Sequence, residues 1–414
     1  MGGGLLQLVA YGAQDAYLSG NPQITFWKGL FKRHTNFAME PFRVNLTGQA
    51  SWGTKHSAIL GRHADLIAST YIEVELEDGD YAITLSAVDG SHFLDYVEID
   101  IGGQVIDRQY GEFMALWSNL TFPTNKKTLW NQLQTIAANS TTCNNGGRPA
   151  RGGVAFIPLQ FFFCRNPGMA LPLIALQYHE VKINILFNDP KLIFERYLSG
   201  DSPPPGKRVG DTKNTSVGPK QANLLVDYVY LDVEERRRMA QESHEYLIEQ
   251  TQFNEDKGLT SAQNRIDLTF NHPVKELIWV TQQTAKRDCR LANVQVTPLV
   301  GDSIIYDCSL QLNGQDRVPS LPGKYFRVVQ PYQHHSGNSA DGVYMYSFAI
   351  RPEEHQPSGT CNFSRIDTAT LVFNVDGDFQ ISNQDNQNYD IRVYAINYNI
   401  LRIMSGMGGL AYSN

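Results

Sequence analysis

The chain has 414 residues, 42% hydrophobic and 19% charged, with a formal net charge of −7. That composition excludes a disordered or fibrous chain, and the negative balance speaks against a surface that neutralises phosphates, so no direct nucleic-acid contact is expected. The length suits two domains of roughly 100–200 residues each, and 20 Tyr, 20 Phe and 5 Trp suit strands that fill a sandwich interior.

The opening MGGGLLQLVAYGAQDAYLSG lacks the basic n-region of a secretory signal. Leu6 stands where a myristoylation motif beginning at Gly2 requires Ser or Thr. Residues 5–9 are apolar, and three fates compete for them: burial on the chain's own second domain, docking under an adjacent subunit, or contact with a membrane. No apolar run reaches about 18 residues, so no membrane span is expected.

Strand-like alternation then recurs along the chain. Ile72, Val74 and Leu76 alternate with Glu73, Glu75 and Glu77, and Val97, Ile99 and Ile101 alternate with Glu98 and Asp100. Period two predicts one buried and one wet face, so Glu73 and Glu75 are expected on a solvated sheet face. Turn signals at Asp78-Gly79, Asp89-Gly90 and Asn313-Gly314 punctuate the runs. Helical spacing is confined to Phe113, Leu116, Trp117 and Leu120, and to Leu129, Leu133 and Ile136. Val181, Ile183, Ile185 and Phe187 form a further strand, Ser202-Pro203-Pro204-Pro205-Gly206 a loop, and residues 226–231 a closing strand. Ile266, Leu268 and Phe270, and later Ile391, Val393 and Ala395, repeat the alternation in the second half. The fold class is therefore all-β, antiparallel, with short helices in loops. The expected division is an arm over 1–25, a first sandwich over 26–232, a linker over 233–244, and a second sandwich with a C-terminal tail over 245–414.

An internal repeat links the halves. Val97 to Gln104, followed by Asp107-Arg108, matches Cys308 to Gln315, followed by Asp316-Arg317. Gly103-Gln104 then aligns with Gly314-Gln315 as a structural turn in each half, where glycine supplies the positive φ. A second pair is collinear: Phe161-Phe162-Phe163 leads through Pro167-Gly168 to a strand ending at Phe187, and Tyr346-Ser347-Phe348 leads through Pro352 to one ending at Phe373. Duplication of one sandwich explains both matches.

The chemistry of a catalyst is not found. The chain has no G-x-S-x-G, H-E-x-x-H, C-x-x-C, P-loop or G-x-G-x-x-G motif. His179-Glu180 lacks a second His four residues on and reads as structural. A glycosidase needs two carboxyls facing across a cleft, which spacing along a strand does not supply. Arg236-Arg237-Arg238 follows Glu234-Glu235 and is expected to form interdomain or intersubunit ion pairs. His334-His335 sits in a polar loop, a weak metal candidate. No catalytic residue, cofactor or metal is expected, and EDTA should not change the melting temperature. The five cysteines, Cys143, Cys164, Cys289, Cys308 and Cys361, are odd in number and scattered, as suits free thiols. Gly406-Met407-Gly408-Gly409 is expected to lie as bare backbone against a neighbouring chain.

The stretch LVAYGAQDAYLSGNPQITFWK resembles the N-terminal arm and first strand of the double jelly-roll major capsid proteins of nucleocytoplasmic large DNA viruses, in particular the chlorella-virus type. Further stretches resemble the same family in order along the chain: ALPLIALQYHEVKI from Ala170, HEYLIEQTQF from His244, QPSGTCNFSRID from Gln356 and NYNILRIMSGMGGLAY from Asn397. The resemblance implies two tandem eight-stranded jelly rolls and three chains forming a pseudo-hexagonal capsomer. It also implies partners: the chain itself, neighbouring capsomers and minor capsid proteins beneath the shell. The location would be the virion, after assembly in the host cytoplasm. Glycans on outer loops are part of the family pattern. The sequons at Asn45, Asn119, Asn139, Asn214 and Asn362 are expected to stay unmodified without a signal peptide, and Asn293, Asn383, Asn386 and Asn388 are the candidates for a viral route. A minor capsid or spike paralogue that binds carbohydrate or a receptor is the alternative.

Overall fold

The computed structural model of the chain describes residues 2–27, 29, 31–76, 82–84, 90–134, 153–189, 195–197, 219–283, 303–375 and 388–413. The chain divides into two units, residues 1–37 and 38–414. The first carries two short helices, α1 (Gly3–Val9) and α2 (Asp15–Ser19), neither with a buried residue. Asp15 accepts the Gly12 N–H at 2.7 Å and fixes the turn between them. The turn expected at Asp78-Gly79 lies outside the described residues, as do Asp89 and Ile136, while Gly90 opens a 3-10 turn.

The second unit contains two sandwiches of alternating strands. The first has β1 (Phe37–Asn45), β2 (Lys55–Ile59), β3 (Leu66–Leu76), β4 (Leu94–Ile101), β5 (Gln104–Tyr110), β6 (Val154–Pro158), β7 (Val181–Phe187) and β8 (Pro219–Leu231). The second has β9 (His244–Leu259), β10 (Gln263–Asp267), β11 (Pro273–Gln283), β12 (Ile305–Leu312), β13 (Gln315–Pro322), β14 (Val343–Ser347), β15 (Ala369–Val375) and β16 (Tyr389–Met404). In the first, the sheets run β1-β8-β3-β6 and β2-β7-β4-β5; in the second, β9-β16-β11-β14 and β10-β15-β12-β13. Adding eight to each label turns one pair of sheets into the other. The registered pairings are antiparallel, and apart from the β4–β5 and β12–β13 hairpins successive strands alternate between sheets, which makes each half a jelly roll and the whole a double jelly roll.

Alternation explains the cores. Ile72, Val74, Val97, Ile99, Ile101, Ile183 and Ile185 are buried between the first pair of sheets, and Leu277, Trp279, Leu310, Leu371, Phe373 and Val393 between the second. The wet face is less wet than period two predicts. Glu98 is buried between Lys55, at 3.0 Å, and Arg108; Glu73 is buried against Arg43 at 2.8 Å; Glu75 meets Lys220 at 2.6 Å. Each carboxylate has a cation laid over it, which makes burial tolerable.

The repeated hairpins have the same geometry. Gly102 and Gly103 adopt φ of 62° and 88°, and Asn313 and Gly314 adopt 50° and 75°, as a two-residue turn with both central residues left-handed demands. Ile101 pairs with Gln104 and Leu312 with Gln315, with a bulge after Ile99 and after Leu310. The Asp-Arg pairs do not correspond, however: Asp107 pairs with Ile99, whereas Leu310 pairs with Val318 and Asp316 with Gln311.

Among the described residues this unit has five α-helices: α3 (Gly111–Thr121), α4 (Thr124–Gln134), α5 (Phe162–Arg165), α6 (Val233–Gln241) and α7 (Gln330–His334). Phe113, Leu116, Trp117 and Leu120 are buried on α3, as their spacing predicts. On α4 the spacing misleads. Leu129 and Leu133 are exposed, while Trp130 packs on Phe122 at 5.0 Å between ring centres and Gln134 accepts the Ser91 N–H at 3.0 Å. The expected linker is largely α6, capped by Asp232.

Candidate assembly interface

α3 leaves the first jelly roll after β5 and lies on the outward face of the second. Its Phe113, Leu116, Trp117 and Leu120 form one buried cluster with Ile278 and Val280 of β11, Val343 and Met345 of β14, and Tyr394 and Ile396 of β16. β16 is therefore buried on both faces from Tyr389 to Asn399. The last turn of α3 leaves carbonyls without helical partners, and the second roll supplies the donors. Ser336 Oγ donates to Thr121 O at 2.8 Å, Gly337 N to Leu120 O at 2.7 Å and Asn338 N to Asn119 O at 3.0 Å.

Charges lock the same junction. Arg392 Nε and Nη2 donate to Glu112 at 2.6 and 2.7 Å, and the Tyr394 hydroxyl donates to it at 2.7 Å. Burial pushes the Tyr394 hydroxyl well above its usual range, and Glu112 adds to the effect. Glu249 of β9 joins Lys275 Nζ at 2.6 Å to Arg165 Nη1 at 2.8 Å. Burial opposes ionisation of Glu249, but Lys275 and Arg165 outweigh it and hold the carboxyl below the usual range. The same two cations lie over the Trp117 ring, at 5.3 and 4.7 Å. Asp107 accepts the Thr251 N–H of β9 at 3.0 Å, and burial pushes its carboxyl up to about 6.

His335 lies not in an open polar loop but between two carboxylates, Glu276 and Glu353, each at 3.0 Å. Burial lowers its basicity, Glu276 and Glu353 raise it more, and the imidazole reaches about 9. His334 Nδ1 pairs with the Ile350 carbonyl at 3.0 Å. Among the described residues no group of three or more His, Cys, Asp or Glu is placed to hold a metal ion, and no helix is long and apolar enough to cross a membrane.

The glycine tail packs on its own chain: Met407–Leu410 forms a strand, β17, on β16. Tyr178 N donates to Gly406 O at 2.9 Å, and His179 Nδ1 lies 3.0 Å from Gly408 O. A side chain at Gly408 would meet Leu176 at 2.7 Å and Ile101 at 3.3 Å, so the missing Cβ is what lets the backbone approach the first roll. His179 thus has a structural post, in contact also with Gly102. Arg236 pairs with Asp65 of the first roll at 3.0 Å, and Arg238 with Glu242 of its own helix end at 3.1 Å. Cys164, Cys308 and Cys361 are free thiols; burial pushes the Cys164 thiol up to about 11. Asn388 is exposed, whereas Asn293, Asn383 and Asn386, with Cys143, Cys289, Asn139 and Asn214, lie outside the described residues. Asn45 and Asn362 are exposed and Asn119 is half-buried.

Arg392–Glu112, Arg165–Glu249 and Asp107–Thr251 fix one sandwich against the other. The family described as "Major capsid protein N-terminus" matches residues 25–232, and the one described as "Large eukaryotic DNA virus major capsid protein" matches 235–409. The major capsid protein of Pyramimonas orientalis virus is 45% identical over the full length of both chains, and that of Paramecium bursaria Chlorella virus 1 is 38% identical, again over both full lengths. A solved structure of the PBCV-1 virus capsid matches with a TM-score of 0.77 at 34% identity, covering 94% of this chain and 100% of that one. The chain belongs to the major capsid protein family of large eukaryotic DNA viruses, a family of structural proteins and not of enzymes.

Proposed function

We propose that three copies of this chain form a pseudo-hexagonal capsomer, and that capsomers pack side by side into the shell of a large DNA virus. The single observation that carries this is the repeated strand order, which gives each chain two equivalent sandwiches held at a fixed angle by α3. Three such chains closed about an axis present six similar edges. The domain limits that go with it are an arm to residue 25, a first roll to 232, a linker to 244, and a second roll beyond. Shell partners are neighbouring capsomers and minor capsid proteins on the inner side, with assembly in the host cytoplasm. Glycans would sit on outer loops, with Asn293, Asn383, Asn386 and the exposed Asn388 as candidate acceptors.

Sedimentation of the purified protein tests the oligomer: it should run as three copies of the 46.5 kDa chain and resist dilution. A folded monomer at micromolar concentration would overturn the capsomer and favour a carbohydrate-binding paralogue. Mass spectrometry of virion peptides tests the asparagines.

A further inference from the structure

α3 has a counterpart. It follows β5, and residues 325–334, a π-helical turn (Tyr325–Val329) running into α7, follow β13, the equivalent strand. The two segments have different fates. The residues under α3 (Ile278, Val280, Val343, Met345 and Ile396) are no more than 3% exposed. Among the apolar side chains of residues 325–334 Phe326 and Pro331 are buried, leaving Val328, Val329 and Tyr332 exposed, Tyr332 at 87%; Ile350 is likewise exposed at 71%.

The face that α3 covers on the second roll also has a counterpart. It is the outward face of β8-β3-β6 on the first roll. Phe156, between inward Ala155 and Ile157, stands where Met345 stands; Leu225, between inward Leu224 and Val226, stands on β8 as Ile396 does on β16. Phe156, Pro158, Leu225 and Tyr71 are all only half-buried there. Beside them is a 570 Å³ cavity, walled by Tyr71, Pro158, Phe122, Trp130 and Arg165. Trp130 Nε1 and Arg165 Nε are buried donors in that wall with no acceptor, an arrangement that costs about 1–3 kcal/mol each unless something arrives to accept.

We propose that residues 325–334 of one subunit seat on the β8-β3-β6 face of a second copy, repeating between chains the contact that α3 makes within one. The proposal rests on the trimer above and names its contact surface. Within a chain, the first roll's helix occupies the second roll's face, so among the described residues one helix and the half-buried part of one face remain over. Passing the spare helix to the next chain closes the ring and covers both surfaces in every subunit. The arriving segment ends in a short helix whose last carbonyls lack helical partners, the kind of acceptor that Trp130 and Arg165 lack.

The test compares the wild type with Val328→Asp/Tyr332→Asp by sedimentation over a dilution series. Both positions are exposed, so circular dichroism should be unchanged, while the concentration for half-dissociation should rise at least about tenfold. A second variant, Tyr332→Cys/Phe156→Cys, should form disulfide-linked dimers and trimers on oxidation, where either single substitution does not. A wild-type trimer with unchanged dilution behaviour in the Asp variant and no cross-link in the Cys variant would overturn the docking and leave the trimer standing. A wild-type monomer would overturn the trimer itself.

Discussion

Arg392 and Glu112 stand 280 positions apart in the chain and meet side by side across the junction of the two jelly rolls, with two donor–acceptor contacts of 2.6 and 2.7 Å. Arg392 is 3% exposed. Burial opposes its charge, but Glu112 outweighs burial and raises the guanidinium above its usual range. A buried, two-pronged pair of this kind fixes orientation as much as it adds energy: it sets α3 in one register on β16.

Removing one partner should therefore cost more than removing both. Glu112→Ala should destabilise the protein by about 3–5 kcal/mol, since it leaves a buried, charged Arg392 with the neutral Gln282 amide oxygen and no carboxylate to accept from it. Glu112→Leu combined with Arg392→Met should recover most of that loss. Urea denaturation midpoints decide it; additive losses in the double variant would mean that the pair is not the lock described.

The strap over the end of α3 gives a steric test. A Cβ at Gly337 would lie 2.2 Å from Asn119 O and 2.6 Å from Leu120 O, both backbone atoms that cannot turn aside. Gly337→Ala should lift residues 336–338 off the helix, and overpacking of this kind costs about 1–3 kcal/mol. Hydrogen exchange should rise at the Gly337 and Asn338 amides, which now donate to Leu120 and Asn119. Unchanged protection there would refute the close approach.

The sandwiches were legible in the sequence because burial on one sheet face writes period two directly, as Val97, Ile99 and Ile101 do. The repeated turn was legible because Gly103 and Gly314 answer one local backbone demand. The junction was not. Glu112, His335 and Glu276 carry charged or titratable side chains and read as surface until the other roll is laid over them. Period two along Ile391, Val393 and Ala395 says nothing of a second buried face behind it. The tail was legible only in part for a related reason: a glycine run announces close approach but not to which surface. On α4, the apolar spacing of Leu129 and Leu133 lost to Trp130, a larger side chain with Phe122 to pack on.

His335 predicts a response to pH. Its folded value of about 9 lies above the ordinary 6.5, because Glu276 and Glu353 favour the charged ring. A group raised on folding contributes stability that is full below about 6.5 and is lost as pH climbs through about 9, here about 3 kcal/mol. The melting temperature should fall between pH 7 and 9.5, and His335→Gln should flatten that slope while lowering stability at pH 6. An equal slope in the variant would assign the pH response to other groups.

The tail gives the last test, and it separates self-docking from exchange between subunits. Ser405 and Gly406 turn the chain at φ of 52° and 80°. β17 then returns along β16, pairing Met407 with Met404 and Leu410 with Leu401. Leu410 packs on the first roll's core, its N–H donates to Gln104 at 3.3 Å, and Asn399 Nδ2 donates to Tyr412 O at 2.9 Å. With each of these two hydrogen bonds worth about 1 kcal/mol net, deletion of residues 405–414 should destabilise the isolated subunit by at least about 2 kcal/mol. Gly408→Ala should cost less than Gly337→Ala, because its nearest neighbour is the mobile end of Leu176 and not a backbone oxygen. Denaturation under conditions that hold the subunit monomeric is the measurement. A deletion that leaves the monomer's midpoint unchanged but weakens the oligomer would mean that the tail serves a neighbouring chain after all.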